Sequence, residues 1–192
     1  TLGTWSITAT DNAPTPLTGS QTNIQVVLPA SSFYWTNSSG NWSAGANWTN
    51  DLGAGVAPLP AGQTNYALNF NRTGAYSATN DLNSGFLLNQ LNVGGGTVTL
   101  RGNSLAFTND GGTGPAINQN SANKLTIFNN LSVDSNLTLG GSGVGEIVLN
   151  GVISGAGSLT MTNSASASVT FNGNNSSTWT GSLVMQSGLF KV

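Results

Sequence analysis

Short apolar–polar–apolar triplets recur through the second half of the chain. In an extended strand, the first and third residues of such a triplet face one side and the middle residue faces the other. Glycine and asparagine separate the triplets and suit the positive-φ positions of tight corners. The pattern therefore predicts a series of short strands. They begin at Leu91, Val98, Leu105, Leu125, Leu131, Leu137, Ile147, Leu159, Val169, Leu183 and Leu189.

This series of strands predicts an all-β fold with a β-solenoid over residues 76–192. Helix signals are nearly absent, because Gly or Asn interrupts almost every window in which apolar residues could recur at helical spacing. A β-sandwich also contains many short strands. The solenoid is favoured because these strands are shorter than sandwich strands and the later ones lack ordinary hairpin loops. Its two ends would be sheet edges that need capping.

Residues 1–29 are predicted to form a separate pair of strands, a β-hairpin. Large and small residues alternate over residues 5–10, a turn is indicated at residues 11–14, and a second strand is indicated at residues 23–28. Two strands alone are marginally stable in water. The hairpin is therefore expected to pack on the following domain or to pair with another chain.

Residues 30–75 have a different composition and are rich in tryptophan. Trp35, Trp42 and Trp48 stand in a run of Asn, Ser and Gly. The main interpretation is a compact aromatic cap over one end of the solenoid core. The alternative is an exposed platform on which the indole faces stack against sugar rings.

The few charged residues exclude several classes of function. Charged residues make up 5% of the 192-residue chain, with four Lys plus Arg, six Asp plus Glu, and neither His nor Cys. Four cations cannot neutralise enough phosphates for nucleic-acid binding or attract an anionic membrane surface. Without His or Cys there is no Ser-His triad, thiol nucleophile, or zinc or haem site of the usual ligands.

The carboxylates are the remaining candidates for catalysis. Stacked coils could bring Asp110, Asp134 or Glu146 together, and glycoside hydrolysis needs two carboxyl groups about 5 to 10 Å apart. Lyases built on similar solenoids use several acids together with a basic Arg or Lys, and this chain has few of either. We therefore predict no enzymatic activity, with no catalytic, cofactor-binding or metal-binding residues.

The middle residues of several triplets are threonines, which suggests a ladder on the outer face of the solenoid. A flat array of outward threonines can order water, so ice binding was one interpretation. Val148 and Val184 interrupt the series, and Thr is a common outward residue in strands. The predicted ladder comprises Thr99, Thr126, Thr138, Thr160 and Thr170.

Nothing in the sequence predicts membrane insertion. No stretch approaches the roughly 18 to 20 apolar residues of a membrane-spanning helix, and the first residues lack the pattern of a signal peptide. An intracellular protein and the mature part of an exported protein both fit that observation. The abundance of Asn, Thr, Ser and Gly with almost no Lys or Glu favours an extracellular or cell-surface location.

The C-terminal residues resemble a known repeat. Residues 151–160 read Gly-Val-Ile-Ser-Gly-Ala-Gly-Ser-Leu-Thr, and residues 169–181 and 183–192 continue with Asn-rich and Gly-Leu runs. This is similar to the autotransporter-associated β-strand repeat of bacterial passenger domains, although Trp179 stands where tyrosine is usual. Residues 35–70 also resemble the segment that often opens such regions. The resemblance implies a right-handed parallel β-helix at the cell surface that carries no catalytic residues.

Together these observations predict a structural role. The leading hypothesis is a component of an extracellular bacterial surface layer or filament, in which copies of the chain join head to tail through exposed β edges. Strands from residues 1–29 of one copy would cover the C-terminal edge of the next. The first alternative is a glycan-binding adhesin module that uses Trp35, Trp42 and Trp48. A third interpretation is a passive spacer among tandem modules of a larger surface protein.

Overall fold

A computed structural model describes residues 3–11, 14–15, 18–26, 31–53, 55–164, 166–173 and 178–192. The chain divides into two compact units, Thr1–Ala30 and Ser31–Val192. In the described ranges the regular elements are strands, apart from one short 3₁₀ turn at Gly45–Asn47, and no α-helix occurs. The prediction of an all-β protein is confirmed.

The first unit is a two-stranded antiparallel ribbon. Strand β1 (Gly3–Thr10) pairs with β2 (Thr18–Val26), with Trp5 opposite Ile24. The second strand starts earlier than predicted, because small hydroxyl residues continue the pairing, as in the 3.0 Å contact between Thr8 Oγ1 and Ser20 Oγ. Residues 12–13 of the turn predicted at residues 11–14, and residues 27–28 at the end of the second predicted strand, lie outside the described residues.

The second unit is a β-solenoid whose strands form three parallel sheets, here called sheets I, II and III. Each complete coil contributes one strand to each sheet in turn. The strands of sheet I are β3 (Ser32–Trp35), β6 (Ala67–Phe70), β9 (Gln90–Val93), β12 (Ala116–Gln119), β15 (Leu137–Gly140), β18 (Leu159–Thr162) and β20 (Leu183–Ser187), with β5 (Trp48–Asn50) antiparallel at its edge.

Sheet II runs alongside sheet I for the whole length of the solenoid, and sheet III is shorter. The strands of sheet II are β4 (Ser39–Asn41), β7 (Tyr76–Asn80), β10 (Val98–Gly102), β13 (Leu125–Ile127), β16 (Ile147–Leu149), β19 (Ser168–Phe171) and β21 (Leu189–Lys191). The strands of sheet III are β8 (Phe86–Leu88), β11 (Leu105–Phe107), β14 (Leu131–Val133) and β17 (Ile153–Ser154).

The core consists of columns in which equivalent apolar residues of successive coils lie side by side. One column in sheet I passes through Leu91, Ile117, Leu139 and Met161, all with no exposed surface. Burying each Leu or Ile contributes about 1.5 to 3 kcal/mol relative to leaving it exposed. The triplets in the sequence match this arrangement, because their two apolar residues face the core and their middle residue faces out. The predicted solenoid is therefore confirmed, although it includes strands β3, β4 and β6, which lie before residue 76.

The predicted threonine ladder does not exist as one array. Thr99 and Thr126 are neighbours on sheet II, but Val148 separates Thr126 from Thr170. The other two threonines, at positions 138 and 160, pair on sheet I. The prediction was wrong because the spacing of triplets along the chain does not reveal which face of the coil each triplet occupies. These five threonines are divided between two faces and do not form a single flat array.

Asparagines form the outer ladder over the first coils of sheet I. Asn118 Nδ2 donates to Asn92 Oδ1 at 2.8 Å, and Asn92 Nδ2 donates to Asn69 Oδ1 at 3.0 Å. These residues are in register on β12, β9 and β6. Ladders of this kind satisfy polar side chains without buried charge, which explains how a chain with so few ions can fold with a polar surface.

Corners between strands bring backbone of adjacent coils into close contact. At Gly141 the backbone has φ +114°, and a Cβ atom there would collide with the carbonyl oxygen of Gln119 in the preceding coil. Glycine is required here for two reasons, since it tolerates positive φ and leaves room for the neighbouring backbone. Gly141, between β15 and β16, is thus a corner residue.

Candidate assembly surface

The two ends of the solenoid differ, and the N-terminal end is closed. Strand β5 pairs antiparallel with β3, placing Trp48 opposite Trp35 and Asn50 opposite Phe33. This pairing covers β3 with backbone of the same chain, so that sheet I ends in the three-residue antiparallel strand β5. An edge covered in this way cannot accept a strand from another molecule at β3.

Beneath β5 lies an aromatic cluster that fills the N-terminal end of the core. Trp48 packs edge-on against Trp35 and Trp42, with ring centroids 5.0 and 5.7 Å away. Its Nε1 atom donates to the carbonyl oxygen of Trp42 at 2.9 Å, and Trp35 Nε1 donates to the carbonyl oxygen of Asn37 at 2.6 Å. The cluster comprises Phe33, Trp35, Trp42, Trp48, Tyr66, Phe70 and Phe86.

This burial decides between the two interpretations of the tryptophans. Trp35, Trp42 and Trp48 expose 3%, 0% and 1% of their surface. The aromatic cap is therefore present, and the proposed sugar-stacking platform at these residues is wrong, because their faces already pack against other rings. A glycan-binding role would need other residues.

The first edge of sheet II is covered by a side chain. Asn47 Nδ2 donates to the carbonyl oxygen of Asn41 on β4 at 2.9 Å, and Asn47 Oδ1 accepts from Asn37 Nδ2 at 2.7 Å. Asn47 also lies directly against Gly40, where a Cβ atom would collide with its amide nitrogen. Both long sheets are thus protected at the N-terminal end.

The last described strand of sheet I, β20, carries exposed residues of the core type. Met185 of β20 continues the buried column that includes Met161, yet it exposes 51% of its surface while Met161 exposes none. Its neighbour Val184 exposes 41%. In the described part of the chain no strand follows β20 in sheet I. Core-type residues and strand backbone are therefore accessible together at this edge.

Aromatic residues partly cover the rest of the C-terminal end. Phe190 of β21 packs edge-on against Phe171 of β19 with ring centroids 5.0 Å apart, and Trp179 lies 6.3 Å from Phe171. Trp179 Nε1 donates to the carbonyl oxygen of Gly157 at 2.8 Å, which holds the indole against the preceding coil. All three rings are half-buried. The opening is therefore concentrated on the side of sheet I.

An ionic cluster on the outer face of sheet II ties the last coils together. Glu146 Oε2 lies 2.9 Å from Lys124 Nζ, and Glu146 Oε1 lies 3.5 Å from Lys191 Nζ. Thr170 Oγ1 donates to Glu146 Oε1 at 2.9 Å. The hydrogen bond from Lys124 is the main cause that lowers the pKa of Glu146 to about 2. The hydrogen bond from Thr170 and the charge of Lys191 act in the same direction.

This cluster predicts a contribution to stability that depends on pH. The pKa of Glu146 is lower in the folded state than its ordinary value of 4.5, so the stabilisation is complete above that value and is lost as the pH falls toward about 2. Both lysines are more than half exposed, and solvent screening limits the expected contribution to about 1 kcal/mol. Urea unfolding of the native chain and of Glu146→Gln at about pH 6 and about pH 3 measures it. The two proteins should differ more at the higher pH than at the lower one; equal pH dependence would contradict this assignment.

The carboxylates considered for catalysis occupy different positions in the stack, and the strand that follows Glu146 belongs to a different sheet from the strands that precede Asp110 and Asp134. Asp110 follows β11 in a turn closed by its backbone pairing with Thr113, and Asp134 follows β14, where it accepts from Ser132 Oγ at 3.0 Å. Glu146 precedes β16 on sheet II and pairs with lysines. Over the described ranges, no group of three or more His, Cys, Asp or Glu side chains is placed to hold a metal ion.

Comparisons with known proteins identify no relative: no family model matches, and neither the curated proteins nor the solved structures include a significant match. The resemblance to the autotransporter-associated repeat thus stays a prediction from the sequence. In the described part of the chain, no helix has the length and apolar character needed to cross a membrane.

Proposed function

We propose that this chain is a structural subunit of an extracellular bacterial surface layer or filament, in which copies join head to tail. The observation that supports the proposal is the difference between the two ends of the solenoid. The N-terminal edges are covered by β5 and by Asn47, whereas β20 leaves Met185 and its own backbone accessible. An exposed strand edge with apolar side chains is a template for pairing with another chain.

The hairpin of residues 3–26 supplies the complementary element. It is a two-stranded sheet, and its residues 6–11 and 18–22 are exposed, including Ile7 with 64% of its surface. An isolated pair of strands is marginally stable in water. Pairing with a solenoid edge of a second copy would extend the ribbon and cover the open coil at the same time.

Such a contact would generate a fibre. The donor hairpin and the acceptor edge are different surfaces, so each copy uses one surface to bind its predecessor and the other to bind its successor. A heterologous contact of this kind produces an open filament unless its rotation closes a ring. The low charge and the Asn-, Thr- and Gly-rich composition support placing the filament outside the cell.

Removing residues 1–29 is expected to leave monomers, because the deletion removes the donor strands and keeps the solenoid unit of residues 31–192 intact. Negative-stain electron microscopy and the mass in solution of both proteins measure the effect. The full chain should form regular fibres. Unchanged far-ultraviolet circular dichroism of the solenoid would serve as the folding control. Filaments that survive the deletion would contradict the proposed role of the hairpin.

A further inference from the structure

The edges of the solenoid unit differ in how strongly they resist strand addition. Natural proteins protect edges with short strands, lysines and covering segments. At the C-terminal end, β21 has three residues and carries Lys191, which is held by Glu146. Strand β20 has five residues, and none of them is charged. Of the two strands that end sheets I and II at the C-terminal end, β20 is therefore better suited to receive a strand.

The regular part of β20 is three residues long. Residues 183–185 pair in register with residues 159–161 of β18, and the pairing then shifts between Met161 and Thr162. A strand added to β20 can continue the parallel ladder only along this stretch. The strand that fits β20 is therefore a triplet with two apolar residues facing the core and one polar residue facing out, as in the preceding coils.

The first unit contains such a triplet in a suitable place. Residues 24–26 of β2 are Ile, Gln and Val, and they lie in the regular part of the hairpin opposite residues 3–5. The triplet at residues 5–7 of β1 is less suitable, because the hairpin pairing is irregular between Trp5 and Ile7. Strand β2 is paired on one side only, since the sheet that contains it has two strands.

We infer that β20 of one copy receives β2 of a second copy as a parallel strand, with Ile24 beside Leu183, Gln25 beside Val184 and Val26 beside Met185. This inference rests on the proposed head-to-tail assembly and specifies which strands pair and in which register. In this register, positions 24 and 26 would lie beside positions 183 and 185 of β20. Gln25 would extend the outer row that passes through Thr160 and Val184.

Engineered disulfides test the register, because the chain has no cysteine of its own. The variants Gln25→Cys and Val184→Cys are purified separately, mixed and oxidised mildly. Adjacent parallel strands lie about 4.8 Å apart, within the Cα separation that a disulfide allows. Two controls pair Val184→Cys with Ser6→Cys on β1 and Gln25→Cys with Thr126→Cys in the middle of sheet II.

We expect about tenfold more covalent dimer from the Gln25/Val184 mixture than from either control, because assembly raises the local concentration of the paired thiols. Filaments of the same mixtures are counted by electron microscopy. Filaments without this cross-link, or with the Ser6 cross-link instead, would overturn the inferred register and leave the proposed function standing. Monomers in every mixture, with no cross-link, would overturn both.

Discussion

Replacing Trp48 by alanine is expected to lower the free energy of unfolding by about 3 to 5 kcal/mol. The Trp48 ring has 1% of its surface exposed and contacts four other rings, those of Phe33, Trp35, Trp42 and Phe70. Alanine would leave a cavity at the closed end and remove the hydrogen bond to the carbonyl oxygen of Trp42. Equilibrium unfolding in urea, followed by tryptophan fluorescence and circular dichroism, measures the loss.

The substitution Tyr34→Ala tests whether burial, and not aromatic character alone, accounts for the loss of stability. Tyr34 lies beside Trp35 on β3 but exposes 40% of its surface. Tyr34→Ala should therefore cost about 1 kcal/mol or less. If Trp48→Ala were no more destabilising than Tyr34→Ala, the aromatic cluster would not be closing the core as the structure indicates.

Replacing Met185 by lysine is expected to abolish head-to-tail assembly while the solenoid remains folded. Met185 exposes 51% of its surface, so a lysine can direct its ammonium group into solvent at little cost to the monomer. In an assembled filament the same position would lie under the added strand, where an unpaired charge is strongly unfavourable. Light scattering at increasing protein concentration and electron microscopy measure the effect.

The control for this variant is Val144→Lys. Val144 also exposes 51% of its surface, but it lies between β15 and β16, away from the open end. The two variants have the same charge and remove a similarly exposed apolar residue. Equal assembly by both variants would show that the β20 edge is not the contact surface. Assembly lost in both would point to a general effect of charge.

Much of the solenoid could be predicted because the alternation of apolar and polar residues within each strand matches the alternation of buried and outward residues in the stack of coils. Each triplet such as Leu125-Thr126-Ile127 shows in three residues which side faces the core, and the stack repeats that arrangement in every coil. Strands β12 and β17 were not among the predicted triplets. Strand β12 begins with two buried residues, Ala116 and Ile117, and β17 has only two residues. Neither shows the alternation on which the prediction relied.

The candidate site was only partly predictable. Three tryptophans in a short segment indicate a cap, because large aromatic residues that close together need burial. The ionic cluster of Lys124, Glu146 and Lys191 could not be found from the sequence. Its members lie 22 and 45 residues apart along the chain, and they meet only because the coils stack with that spacing. The assignment of threonines to faces failed for the same reason.

The coils at the two ends of the described solenoid are expected to differ in stability. Each coil is stabilised chiefly by the two coils beside it, so a stack of this kind behaves approximately as a one-dimensional chain of coupled units. The coil at β20 and β21 has only one neighbour in the described structure, whereas the first coil is anchored by the aromatic cluster. Local opening would therefore start at the last coil and proceed inward, and the capped end would serve as the nucleus from which coils form again.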